Sequence, residues 1–168
     1  MVTATLERAR EVACAVVDPE LPMLTLADLG VLRDITVDDD GVVTAAITPT
    51  YSGCPAMAAM RDDLVRELRA AGFPDVRVRI ALEPAWTTDW ITPAGRKALA
   101  AAGISPPGPA PRRSGPVPLR LAPTRRAVRC PLCGSDDVEA GSEFGSTACK
   151  ALYRCRACLE PFEHVKEI

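Results

Sequence analysis

The sequence predicts an α+β body over residues 1–104, a linker over 105–127, and a small metal-organised β module over 128–168. Three observations carry this. Segments of helical and strand periodicity follow one another in the order α-β-β-α-β-α. Seven prolines and five arginines then crowd residues 105–127. Finally, two Cys-x-x-Cys pairs stand twenty-one residues apart near the end of the chain.

Residues 3–17 place Leu6, Ala9, Ala13, Val16 and Val17 on one stripe, as in an amphipathic helix. Cys14 lies near that stripe and reads as a core residue, and Asp18-Pro19 ends the helix. Val31 to Val37 and Val42 to Thr48 are β-rich runs around Asp38-Asp39-Asp40-Gly41, whose Asp-Gly pair signals a hairpin. From Pro55 to Ala71, the positions Met57, Met60, Leu64, Leu68 and Ala71 recur at helical spacing up to a closing Gly72. Val76, Val78, Ile80 and Leu82 alternate with Arg77, Arg79 and Ala81, which predicts a third strand with one buried face. Thr92-Pro93 reads as the cap and first turn of a short helix through Ala102. Two helices on one face of a small mixed sheet satisfy this order and gather the loops at the sheet ends. Trp86 and Trp90, in a chain poor in aromatics, read either as a partner-binding patch or as partly buried anchors, and the second is the expectation.

About a quarter of the residues are charged and the formal net charge is −2, which excludes a disordered or strongly basic chain. Charge is divided unevenly. Residues 1–104 carry ten basic and fifteen acidic side chains, and residues 105–168 carry ten and seven. The start of the chain lacks a basic segment followed by an apolar run, and no stretch reaches the ~20 apolar residues of a membrane span. The expected location is the cytoplasm, where seven cysteines are better suited to metal binding or thiol chemistry than to disulfides.

Cys130-Pro131-Leu132-Cys133-Gly134 and Cys155-Arg156-Ala157-Cys158 each form a thiolate knuckle, and two knuckles complete one tetrahedral site. Short strands at Ala151–Arg154 and Phe162–Val165 complete a zinc-ribbon-like module. It is too small to fold on its core alone, so the metal supplies most of its folding free energy. Zn²⁺ is the expected ion; a single iron or an iron–sulfur cluster is the alternative. Cys149 is either an additional ligand or a small buried residue, and His164 reads as a strand residue.

In the body, Cys54 precedes Pro55 at the expected N-cap of the second helix, where the helix dipole would favour a thiolate. That makes it either a nucleophile or soft-metal ligand, or simply a small capping residue. Asp18, Glu20 and Asp28 lie on an acidic, proline-containing loop and supply either oxygen ligands or turns.

With Asp18-Pro19-Glu20-Leu21-Pro22, Asp28-Leu29-Gly30 and Thr50-Tyr51-Ser52-Gly53-Cys54-Pro55 in this order, residues 1–104 resemble the metal–sulfur cluster assembly domain of SufT-like proteins. Trp86-Thr87-Thr88-Asp89-Trp90, Gly103-Ile104-Ser105-Pro106-Pro107 and the run from Phe144 to Cys155 extend the resemblance to the PaaD family of bacterial phenylacetyl-CoA epoxidase systems. This implies a non-catalytic accessory or maturation factor in aerobic phenylacetate degradation. Its partners would be the oxygenase subunits or their iron–sulfur flavin reductase. Cys54 would be the iron or cluster contact, with Asp18, Glu20 and Asp28 as its neighbours. The residues agree in offering no Glu-x-x-His pair, nucleotide-binding glycine loop or catalytic-triad motif. Two other readings are an iron-containing electron-transfer component of the same system and a nucleic-acid-binding ribbon. The second would use Arg112, Arg113, Arg120, Arg125, Arg126 and Arg129, against which the acidic body argues.

Overall fold

The computed structural model describes residues 2–51, 53–111 and 127–168. They divide into two compact units, drawn from Met1–Trp86 with Trp90–Gly95 and from Thr87–Asp89 with Arg96–Ile168.

The first unit contains α1 (Val2–Cys14), β1 (Leu32–Val37), β2 (Val43–Ile47), α2 (Met57–Ala70) and β3 (Val76–Ile80). β2 is the central strand, antiparallel to β1 and parallel to β3. α1 packs on β1, α2 packs on β3, and the two helices touch. Ala9 and Ala13 of α1 and Met60, Leu64 and Leu68 of α2 are buried with Ile35, Val43, Ala45 and Ile47 of the sheet. In the β1–β2 hairpin, Asp38 Oδ1 accepts the N–H groups of Asp40 and Val42 at 3.1 and 2.8 Å, and Gly41 adopts a positive φ.

Three details differ from the periodicity. First, α1 stops at Cys14, because the following segment is drawn onto residues 24–26. Leu26 N–H donates to Val16 O, Asp18 N–H donates to Leu24 O, and Val17 bridges Thr25. Cys14 is exposed rather than in the core: it stands one helical step round from the fully buried Ala13. Second, α2 is capped by Ala56, without a side-chain bond, so Cys54 is not the N-cap. Third, β3 does not bury a whole face. Val76 and Val78 are half-buried, while Ile80 and Leu82 are 58% and 66% exposed.

The second unit holds β4 (Ile104–Ser105), β5 (Val138–Ser142), β6 (Lys150–Cys155) and β7 (Pro161–Val165), in the order β4-β7-β6-β5. The segment expected as a linker therefore begins inside a sheet, with Ser105 buried and paired with His164. Residues 112–126, most of that segment and bearing five of the six candidate phosphate-contacting arginines, lie outside the described residues. α3 (Pro93–Ala101) starts as expected, with Thr92 Oγ1 accepting the Gly95 N–H at 3.0 Å.

His164 is fully buried on β7. Its Nε2 meets Glu167 Oε1 at 3.2 Å and its Nδ1 meets Ser105 Oγ at 3.1 Å. With Nε2–H donating to the carboxylate, Nδ1 accepts from the serine hydroxyl. Glu167 Oε1 also accepts the Gly108 N–H at 3.1 Å. Burial opposes ionisation of Glu167, but the His164 and backbone hydrogen bonds outweigh it and hold its carboxyl at about 2. Ser105, His164 and Glu167 line up like a hydrolase relay, yet serine and imidazole are both buried, so the line ties β4 and the end of the chain to β7.

Gly30 has φ +73°, and a Cβ there would stand 2.6 Å from Trp90 Cβ and 2.8 Å from the Trp90 carbonyl oxygen. Gly41 has φ +82° with nothing within 4 Å of that position. Gly41→Ala should therefore cost about 1 kcal/mol for backbone conformation alone. Gly30→Ala should cost about 3 kcal/mol or more, because overpacking adds to the same term. Urea midpoints of the two variants measure the difference. Glu167 makes stability depend on pH. Because its pKa is lowered by folding, its stabilising effect is complete above the ordinary glutamate value of about 4.3 and disappears as pH falls towards about 2. The stability gap between the parent chain and Glu167→Gln should be present at pH 7 and close on acidification, as read by urea unfolding across pH.

Candidate metal centre

Cys130 and Cys133 lie in the turn before β5, Cys155 ends β6, and Cys158 lies in the turn before β7. The β6–β7 hairpin brings Cys155 and Cys158 round to the first knuckle, and β5 pairs with β6 to hold that knuckle in place. The four ligand atoms all lie within 4.8 Å of one another. Cys130 Sγ and Cys158 Sγ are 3.7 Å apart, and Cys133 Sγ and Cys155 Sγ are 3.5 Å apart. A tetrahedron with Zn–S bonds of ~2.3 Å has edges of about 3.8 Å, close to these two distances, so the cysteines suit a four-coordinate ion. None of the seven cysteines is in a disulfide.

The electrostatics of the site call for a cation. The Cys158 N–H, 3.4 Å from Cys155 Sγ, favours the thiolate against burial, and with the Ala157 N–H it brings Cys155 down to about 7. At Cys158 a backbone N–H from Glu160 acts in the same direction, but burial and the three neighbouring sulfurs prevail and push it up to about 12. One thiolate thus forms readily, while Cys158 and Cys133 are held towards the thiol. A divalent ion removes that penalty. Beneath the sulfurs, Val128, Ala151, Tyr153 and Phe162 form a small core, with the Tyr153 and Phe162 rings stacked at 6.0 Å between centroids. These side chains hold the knuckles in register, and a bound ion would cross-link them.

Cys149 is not in this group. It stands at the far end of β6 from Cys155, about 20 Å away at ~3.3 Å per residue, and its Sγ lies 3.1 Å from Thr147 Oγ1. His164 also lies away from the sulfurs, in its line with Ser105 and Glu167.

In the first unit the carboxylates of Asp18 and Asp28 serve the loop. Asp18 is buried, and its Oδ1 accepts the N–H groups of Glu20 and Leu21 at 2.8 and 2.7 Å. Asp28 accepts hydroxyl hydrogens from Thr25 at 2.9 Å and Thr92 at 2.8 Å. Glu20 is half-buried. Cys54, also buried, lies in the turn before α2, where its carbonyl accepts the Met57 N–H at 3.4 Å. Among the described residues these groups do not form a cluster of three or more ligands. The register nevertheless places their segments at one end of the sheet. Leu32, Ile47 and Ile80 lie side by side, so the loop ending at β1 and the loop leaving β2 emerge together. Sequence periodicity does not reveal the Trp86 indole N–H, which donates to Leu29 O at 3.0 Å and pins the first of those loops.

Residues 114–166 match the family model described as the PaaD zinc beta ribbon domain. Over 149 residues the chain is 47% identical to an Escherichia coli K12 protein named as a component of 1,2-phenylacetyl-CoA epoxidase; the match covers 89% of this chain and 85% of that one. The chain belongs to the PaaD family. Residues 9–85 of this PaaD-family chain also match a model described as iron-sulfur cluster assembly protein. Over 92 residues the chain is also 37% identical to the Staphylococcus aureus Fe-S protein maturation auxiliary factor SufT, covering 54% of this chain and 99% of that protein. A crystal structure of a DUF59 domain from Bacillus anthracis shares the fold, with a TM-score of 0.52 at 24% identity over 58% of this chain and 92% of that one.

Cys133→Ser should reduce bound zinc from about one equivalent per chain to a small fraction and unfold β5–β7, whereas Cys149→Ser should leave both unchanged. Metal analysis after dialysis against a weak chelator, with circular dichroism, provides the check.

Proposed function

We propose that this PaaD-family chain is a non-catalytic accessory factor that assists assembly of an iron or iron–sulfur centre in a phenylacetyl-CoA epoxidase. The observation that carries this reading is its 47% identity, across most of both chains, to a protein named as a component of that enzyme. Relatedness of the first half to proteins named as Fe-S maturation auxiliary factors supplies the assembly role. The chain would act in the cytoplasm on the oxygenase subunits or on the iron–sulfur flavin reductase that serves them. Among the described residues no helix is long and apolar enough to cross a membrane.

In this reading the work is divided. Cys130, Cys133, Cys155 and Cys158 hold a structural zinc in a ribbon domain. Cys54 is the working thiol of the assembly domain, buried in the turn before α2, and the loop bearing Asp18, Glu20 and Asp28 leads into β1 at the same end of the sheet. The Asp18 and Asp28 carboxylates shape the loop, and a soft iron centre in transit meets the sulfur. Iron or a cluster is cargo here, supplied to a partner.

Cys54→Ala should leave folding and zinc content unchanged while lowering iron occupancy and activity of the epoxidase system several-fold in cells. Normal occupancy in that variant would remove Cys54 from the mechanism. Anaerobically purified chain should contain zinc and show no visible absorption; iron with a visible band would instead support electron transfer through the four-cysteine site.

A further inference from the structure

A sheet edge presents unpaired N–H and C=O groups unless something blunts it. Among the described strands, three of the four edges are blunted. β1 has a bulge between Leu32 and Asp34, β5 has one between Ala140 and Ser142, and β4 is two residues long. β3 has neither device. Its five residues run in unbroken register along β2, from Val43 opposite Val76 to Ile47 opposite Ile80.

The ladder identifies which groups are open. Val43 N–H donates to Asp75 O at 2.9 Å, and Ala81 N–H donates to Ile47 O at 2.8 Å. In a parallel pair, residues that bond the neighbour alternate with residues that face away. Asp75, Arg77, Arg79 and Ala81 therefore turn their backbone groups towards β2, and Val76, Val78 and Ile80 turn theirs outward. No backbone hydrogen bond from another segment of the described chain reaches these three residues. Ile80 and, just beyond the strand, Leu82 are mostly exposed. Arg77 and Arg79 project from the opposite face, exposed and without an ion-pair partner among the described residues.

The arginines select the occupant. In an antiparallel pair of two β3 strands centred on Val78, each Arg77 would face the other copy's Arg79, collecting four guanidiniums on one face. Like charges directly opposite are destabilising, so a second copy is disfavoured. An acidic strand experiences the reverse. We propose that the β3 edge is a docking site for an extended segment of a partner protein in which Asp or Glu alternates with β-branched or aromatic residues, added as a fourth strand. Its outward bonds are made to Val76, Val78 and Ile80, its carboxylates lie over Arg77 and Arg79, and its apolar side chains cover Ile80. This inference goes beyond the maturation reading and uses neither Cys54 nor the four-cysteine site.

The test is fluorescence anisotropy on the full zinc-loaded chain, using a labelled eight-residue peptide alternating glutamate and valine and a second alternating lysine and valine. The parent chain should bind the glutamate peptide at least tenfold more tightly than the lysine peptide, and added salt should weaken that binding. The double variant Arg77→Glu, Arg79→Glu should reverse the preference. Val78→Pro removes one outward N–H and no ladder bond, so it should abolish binding with circular dichroism and zinc content unchanged. Failure of the parent chain to bind, equal binding of the two peptides, or unaltered binding by a folded Val78→Pro chain would each overturn the proposal. Should Val78→Pro not fold, the charge reversal alone decides.

Discussion

Four sulfurs drawn within 4.8 Å of one another are the constraint on which the second unit depends. Such a group is untenable as four thiolates without a cation and offers little stability as four thiols. The surrounding architecture reflects this. β5 and β6 hold the first knuckle beside Cys155, β7 returns the chain from Cys158, and a core of a few aliphatic residues with Tyr153 and Phe162 supports the arrangement. A core this small contributes modestly by itself, so ion binding and folding of the ribbon are one equilibrium. At the other end of β7 the His164–Glu167–Ser105 line supplies a second fastening, polar and buried, which brings residues 104–108 into the unit.

The first unit is organised by strand direction. Because β2 runs against β1 and along β3, the loop before β1, the loop after β2 and the residues after β3 all emerge at the same end of the sheet. Cys54 and the acidic loop come from segments remote in sequence, and the register alone brings those segments together. Trp86, bonded to Leu29, and Trp90, packed on Gly30 with Arg33 stacked 3.5 Å over its ring, fix one of these loops firmly. Asp18 and Asp28 are used to shape the loop, through bonds to backbone N–H groups and threonine hydroxyls.

What the residues determined by themselves is the set of local elements and the four-cysteine site. Helices need an apolar stripe at 3.6 spacing, as Met60, Leu64 and Leu68 show. A two-knuckle site needs paired cysteines at a spacing that a hairpin can span, as Cys130 and Cys155 show. Both are short-range patterns, written in adjacent residues, and the resemblance to a metal–sulfur assembly domain was legible in equally local motifs. Tertiary structure decided the rest. Cys14 stands one helical step round from the buried Ala13 and faces outward; Cys54 lost the cap position when α2 began at Met57; Cys149 was carried away from the four-cysteine group by the length of β6. β4 and the burial of Ser105 and His164 arise from pairing across some sixty residues, which no window of sequence contains. The alternation in β3 predicts a buried face that the structure does not complete: Val76 and Val78 are half-buried while Ile80 and Leu82 are exposed, because a sheet face is covered only by what packs on it, and a strand's own sequence does not supply that cover.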